Sequence, residues 1–136
     1  MSRLTVPAPD GVPAGAQSTL DTIGAQFGFI PGMFATLASN PTVLDVVMPL
    51  RGALSRVLDA KTRHTIALAV SQANGCDYCL AIHTYVSSEL GGMSSDDIDL
   101  ARAGSSIDPK RAAVARFAQQ VVDSRGQVSD ADLAAV

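Results

Sequence analysis

The 136-residue chain has no tryptophan, and with four phenylalanines and two tyrosines its aromatic content is only 4%. Its 47% apolar content therefore rests mostly on Ala, Val and Leu. Side chains of that size suit close helix packing rather than sheets. An apolar, aromatic-poor chain this short is also expected to bury surface against further copies of itself. Basic runs are missing as well: the net charge is −3, which leaves no footprint for nucleic acid or an anionic membrane. No stretch approaches about 18 uninterrupted apolar residues, so no membrane span is expected. No N-terminal apolar run resembles a signal peptide. Two cysteines are too few for a disulfide framework. The expectation is a soluble, cytoplasmic protein of a reducing compartment. The length fits one domain, residues 1–136, with a real core but no large enclosed active site of its own.

What the chain does have is concentrated in Asn74-Gly75-Cys76-Asp77-Tyr78-Cys79-Leu80-Ala81-Ile82-His83. Both cysteines are here, two residues apart, and one of the two histidines follows four residues later. If Asn74-Gly75 ends one helix and Cys76 opens the next, the three groups sit at i, i+3 and i+7. They then fall within about a 60° arc of one helix face. A cysteine in a first helical turn meets free N–H groups and the positive end of the dipole, both of which favour thiolate. A dithiol with an imidazole on the same face is a candidate redox site.

The rest of the chain reads as helical. Residues 1–15 hold three prolines and read as an extended arm. Ala16 to Phe27 predicts a short helix with Leu20, Ile23 and Phe27 inward, Gly28 to Gly32 a turn, and Met33 to Ala38 more helix. Asn40 and Pro41 are placed as N-cap and first residue of the next helix. Val43, Val47, Leu50, Leu54 and Val57 recur at its helical period and are expected to face inward, with Pro49 as a kink. Asp59 predicts a cap for a helix over Ala60 to Ala73, whose apolar centre, Ile66 to Val70, marks it as the central buried one. The CxxC helix is expected from Cys76 to Leu90, stopped by Gly91-Gly92. Ser94 and Asp97 have capping-box spacing, with Met93 and Ile98 as a staple. Asp108-Pro109 opens a helix with Ala113, Val114, Phe117, Val121 and Val122 on one face, and Gly126 stops it. Ser129 caps a last short helix with little to hold it, so the C-terminus is expected to pair with a neighbour or to be truncated relative to a longer parent. No segment alternates like a strand. The predicted fold class is all-α, a compact multi-helix bundle.

The run from Ile66 through Cys79, followed by His83, closely resembles the core of the carboxymuconolactone decarboxylase superfamily, and within it the alkylhydroperoxidase D-like, peroxidase-related branch. Gly28 to Phe34, Asn40-Pro41, Gly91-Gly92-Met93 and Asp108-Pro109-Lys110 extend the likeness over nearly the whole chain. The resemblance implies an all-α fold that assembles as a homo-oligomer (dimer, trimer or hexamer). It also implies a CxxC-dependent thiol peroxidase or disulfide oxidoreductase in antioxidant defence. Its partners would be a hydroperoxide substrate and a dithiol reductant, a thioredoxin-like or lipoyl protein. Cys79 would be the peroxidatic thiol and Cys76 the resolving one, whereas helix-end electrostatics alone nominate Cys76 as the more acidic. The family normally carries a glutamate twelve residues before the first cysteine, part of a proton relay through the histidine; here that position is His64.

The candidate catalytic residues are thus Cys79, Cys76, His83 and His64. One thiolate attacks the O–O bond and becomes a sulfenic acid, and the other condenses with it to a disulfide. His83, one turn after Cys79, is placed as base or thiolate partner. His64 accepts a proton near neutral pH but supplies no negative charge in place of the glutamate. Tyr78 is expected to pack. No haem, flavin or nucleotide signature is present, so no cofactor is expected and the cysteines would carry the electrons. Three alternatives stand beside this reading: zinc held by His64, Cys76, Cys79 and His83, a non-catalytic oligomer that kept the motif, and a decarboxylase. Three zinc ligands on one rigid helix converge poorly on a tetrahedral centre. Decarboxylation needs no dithiol, and the chain has no cluster of Arg and His for a dicarboxylate.

Overall fold

A computed structural model describes residues 4–136. Among the described residues the regular structure is wholly helical, as the absence of strand alternation predicts. The eight α-helices fall into two units, Met1–Val57 and Leu58–Val136, taken here in turn.

In the first unit, a 3-10 turn at Pro9–Gly11 interrupts the expected arm, and α1 (Ala14–Phe27) begins two residues earlier than predicted. Ala16, Leu20, Ile23 and Phe27 are its buried stripe, as the spacing requires. Gly28 ends it in the left-handed region at φ 78°, its N–H donating to the Gly24 carbonyl. α2 (Gly32–Leu37) and α3 (Pro41–Leu54) follow, and the Asn40 side chain accepts from Val43 N–H as the N-cap. The helix continues past Pro49.

The inward face of α3 is not the predicted one. Only Leu44 is buried, while Val43, Leu50 and Leu54 on α3, and Val57 beyond its end, stay exposed. The face that packs is turned by about one residue, and the cause lies in the partners. Phe27 and Phe34 form a tilted pair with centroids 6.1 Å apart, and the Arg51 guanidinium lies 5.7 and 5.8 Å from their ring centres. Leu44 and Arg51 lie seven residues apart on one face, so the cation–π contact and the Leu44 anchor set the rotation of the helix.

The second unit is built on α4 (Ala60–Ala73), which packs against α5 (Asp77–Tyr85), α6 (Ser95–Arg102) and α7 (Pro109–Asp123). Leu68 and Ala69 are fully buried, and Leu68 joins Met93, Ile98 and Ala101 in a core cluster. Ile66, Ala67 and Val70 are only half-buried, so the centre of α4 is less enclosed than its all-apolar run predicts. Met93 and Ile98 meet as the staple requires, but the capping box is half formed. The Ser94 hydroxyl accepts from Asp97 N–H, while the Asp97 carboxylate turns away to Ser106, Ile107 and Arg111. On α7 only Ala115 is fully buried; Ala113, Val114, Phe117 and Val122 are half-buried and Val121 is exposed. The last helix, α8 (Asp130–Ala134), has more support than its length promises. Ser129 and Asp132 form a full capping box, and Gln120 of α7 donates to Asp132 at 2.8 Å.

Candidate functional site

The hinge between α4 and α5 positions the cysteines. Gly75 takes φ 60°, a left-handed conformation that costs a residue with a Cβ. This lets Cys76 N–H reach the Ser71 carbonyl at 3.1 Å and Gly75 N–H reach the Gln72 carbonyl at 3.0 Å. That pair of bonds is a Schellman motif, which closes α4. Gln72 is held in addition by Arg102 of α6, whose Nε donates to its side chain at 3.1 Å. Cys76 is therefore at once the residue that terminates α4 and the N-cap of α5.

The Cys76 Sγ accepts from the Cys79 backbone N–H at 3.2 Å, and the two sulfurs are joined in a disulfide across the first turn. Sequence reading puts Cys76 inside the helix; it sits one position outside, where a side-chain acceptor satisfies an otherwise free N–H. His83 lies one turn beyond Cys79, half-buried, in the last turn of α5. Tyr78 is 50% exposed.

The expected single helix to Leu90 changes character at Val86. Val86–Leu90 is a π-helical turn, closed by Gly91 N–H donating to the Val86 carbonyl at 2.9 Å. Such turns insert a residue into a helix and recur at functional sites. On this turn Ser87 is fully buried, and its hydroxyl has no hydrogen-bond partner among the described residues.

His64 comes from α4, half-buried, and its imidazole edge lies against Gly91 at the end of the π turn. Asp59, the nearest acid on the chain to His64, is committed elsewhere. Its oxygens accept from the Thr62 hydroxyl at 2.6 Å and the Thr62 N–H at 3.0 Å, and these bonds hold its carboxyl below the usual carboxylate range. It caps α4. The structure thus joins Cys76 to Cys79, sets His83 on the same helix one turn on, and seats His64 at the far end of that helical rod. Gly91 stops the helix as its sequence predicts, but the approach of the His64 ring to it and the burial of Ser87 were not foreseen, because a π turn leaves no pattern in side-chain type. Among the described residues no group of three or more His, Cys, Asp or Glu side chains is placed to hold a metal ion.

In this all-helical unit the Cys76–Cys79 disulfide closes across the start of α5 and His83 follows one turn further. The sequence profile of the carboxymuconolactone decarboxylase family matches residues 41–123, from the first residue of α3 to the last of α7. The chain belongs to that family. No curated protein matches it.

Proposed function

We propose that the protein is a CxxC-dependent thiol peroxidase, with disulfide oxidoreductase chemistry in the same cycle. The observation that carries this reading is the Cys76–Cys79 pair closed across the first turn of α5, with Cys76 as its N-cap. Two sulfurs within bonding reach exchange a dithiol for a disulfide with little backbone movement.

In the reaction, the Cys79 thiolate attacks one oxygen of a hydroperoxide. The S–O bond forms, the O–O bond breaks, and the alkoxide leaves as the alcohol once it takes a proton. Cys76 then attacks the Cys79 sulfenic sulfur; the S–S bond forms and water departs with the hydroxyl. A dithiol reductant reopens the bond by two exchanges and leaves as its own disulfide. His83, one turn from Cys79, takes the thiol proton and returns it to the leaving oxygen. His64, expected to join the relay, lies against Gly91 at the other end of the rod and takes no step in this scheme. The assignment of Cys79 as the attacking sulfur rests on family resemblance, and a thioredoxin-like or lipoyl protein fits the reductant's chemistry. Assembly with further copies of this chain is part of the same reading, supported by the exposed apolar stripe of α3.

The test is intact mass of the reduced, zinc-free protein before and after brief hydrogen peroxide treatment, with thiols counted in parallel. Loss of both thiols together with two hydrogens, reversed by a dithiol, is the expected result. Thiols that stay unreactive overturn the peroxidase reading and leave a helical protein that kept the motif.

A further inference from the structure

Tyr78 is one of the two residues enclosed by the disulfide ring, with Asp77 before it and Cys79 after it. It also starts a row along α5. Tyr78, Ala81, Ile82 and Tyr85 stand at i, i+3, i+4 and i+7, within about a 100° arc of the helix. Tyr78 and Ala81 are exposed, Tyr85 is 41% exposed and Ile82 is half-buried. Cys76, Cys79 and His83, all half-buried, lie beyond one edge of the row. Asp77, the one acid of α5, lies beyond the other. The dithiol is thus bordered by an outward, uncharged face, and both tyrosines of the chain are on it.

The residue types say what kind of contact this face suits. The other outward apolar stripe, on α3, is aliphatic, with Leu50, Leu54 and Val57, as a face sealed for good is served best. A tyrosine pairs an apolar ring with a hydroxyl that is at home in water, so it suits a surface covered and uncovered in turn. The disulfide makes the same demand. A reductant thiolate attacks one of its sulfurs, a mixed disulfide forms and the other cysteine leaves as thiolate. The reductant's second thiolate then attacks the mixed bond, so that this chain regains two thiols and the reductant departs as a disulfide. Two electrons pass, and two protons settle on the new thiols. At the mixed stage the partner is bonded to the ring that encloses Tyr78, whichever sulfur it attacked. A protein with a dithiol fixed on its surface then lies over Tyr78, whereas a small dithiol reaches the sulfur without covering the row.

We propose that Tyr78 is the specificity-determining contact for the reductant, a protein that carries its dithiol on its own surface, with Ala81, Ile82 and Tyr85 extending the contact along α5. The inference rests on the proposed reaction cycle and names its electron donor more closely.

The experiment follows reduction of the oxidised full chain by reduced thioredoxin and, separately, by dihydrolipoamide as a small free dithiol. Wild type, Tyr78→Ala and Tyr78→Phe are compared, with thiols counted after acid quench. Removing a central aromatic contact is expected to slow reduction by thioredoxin about tenfold in Tyr78→Ala. Tyr78→Phe should keep most of the rate. Dihydrolipoamide should reduce all three chains alike, which separates a contact from damage to the ring itself. Equal slowing with both reductants overturns the proposal, as does an undiminished rate of Tyr78→Ala with thioredoxin. A wild-type chain that thioredoxin reduces no faster than dihydrolipoamide overturns it too. If Tyr78→Ala does not fold, Tyr78→Gln takes its place under the same criteria. Oxidation of the reduced thiols by hydrogen peroxide is measured on the same chains and should be unchanged. Should the wild-type thiols ignore peroxide, the peroxidase reading fails by itself, and the two reduction rates still judge Tyr78.

Discussion

Arg111 of α7 closes on Asp97 of α6 at 3.1 Å, and Asp97 is only 2% exposed. The carboxylate also accepts from the Ser106 hydroxyl at 2.8 Å and the Ile107 N–H at 3.0 Å. Arg111 Nε donates in turn to Ser106 at 3.2 Å, so the loop between the two helices is laced to both. Removing the acid leaves a largely buried guanidinium and two further donors unmatched. Asp97→Ala is expected to lower stability by about 3–5 kcal/mol. Urea unfolding checks it, and a loss below about 1 kcal/mol would show that the network is dispensable.

The same carboxylate sets an acid limit. Burial alone would raise its pKa, but the Ile107 N–H, the Ser106 hydroxyl and Arg111 together outweigh that and hold it below the usual carboxylate range. The unfolded chain then binds the proton more readily, so this contribution is present above the unfolded value near 3.9 and is lost as pH falls through the folded one. Unfolding free energy should decline below about pH 4, and less steeply in Asp97→Asn than in the parent chain. Equal slopes would remove Asp97 from the explanation.

The roles of the two sulfurs divide cleanly by substitution. In Cys76→Ser, brief hydrogen peroxide should leave one oxygen on Cys79, trappable by a sulfenic-acid reagent, while Cys79→Ser should stay largely unreacted. Mass spectrometry of both variants reads this directly. The reverse pattern would hand the attack to Cys76, the N-cap of α5.

Gly75 carries the hinge. Gly75→Ala forces a Cβ into a left-handed backbone, at a cost of about 1–2 kcal/mol, and loosens the turn that presents Cys76. A lower melting temperature together with slower re-formation of the disulfide is expected. A change in melting alone would show that the turn stabilises the fold without serving the site.

Assembly is tested on α3. Leu50 is 57% exposed and Leu54 58%, on a stripe that continues to Val57. Leu50→Glu should reduce the mass measured by light scattering to that of a single chain, with helicity by circular dichroism unchanged. A parent chain that already scatters as a monomer would remove the assembly from the proposed function.

Local chemistry made much of this fold legible in advance. Asn40, Asp59, Ser94, Asp108 and Ser129 each accept a backbone N–H at the head of a helix, as their side chains and the residues after them predict. Capping is a bond between residues two or three apart, so the sequence contains it whole. The stop at Asn74-Gly75 was legible in the same way, whereas Cys76 sits one position before the helix expected to contain it, as its N-cap. Longer-range relations depended on the tertiary structure. The face of α3 that turns inward was decided by the Phe27–Phe34 pair and Arg51, because an apolar stripe on both sides of a helix does not say which side finds a partner. The π turn after Tyr85 and the seating of His64 against Gly91 were decided likewise. A register shift of one residue and an approach between helices are properties of packing, which side-chain period alone does not encode.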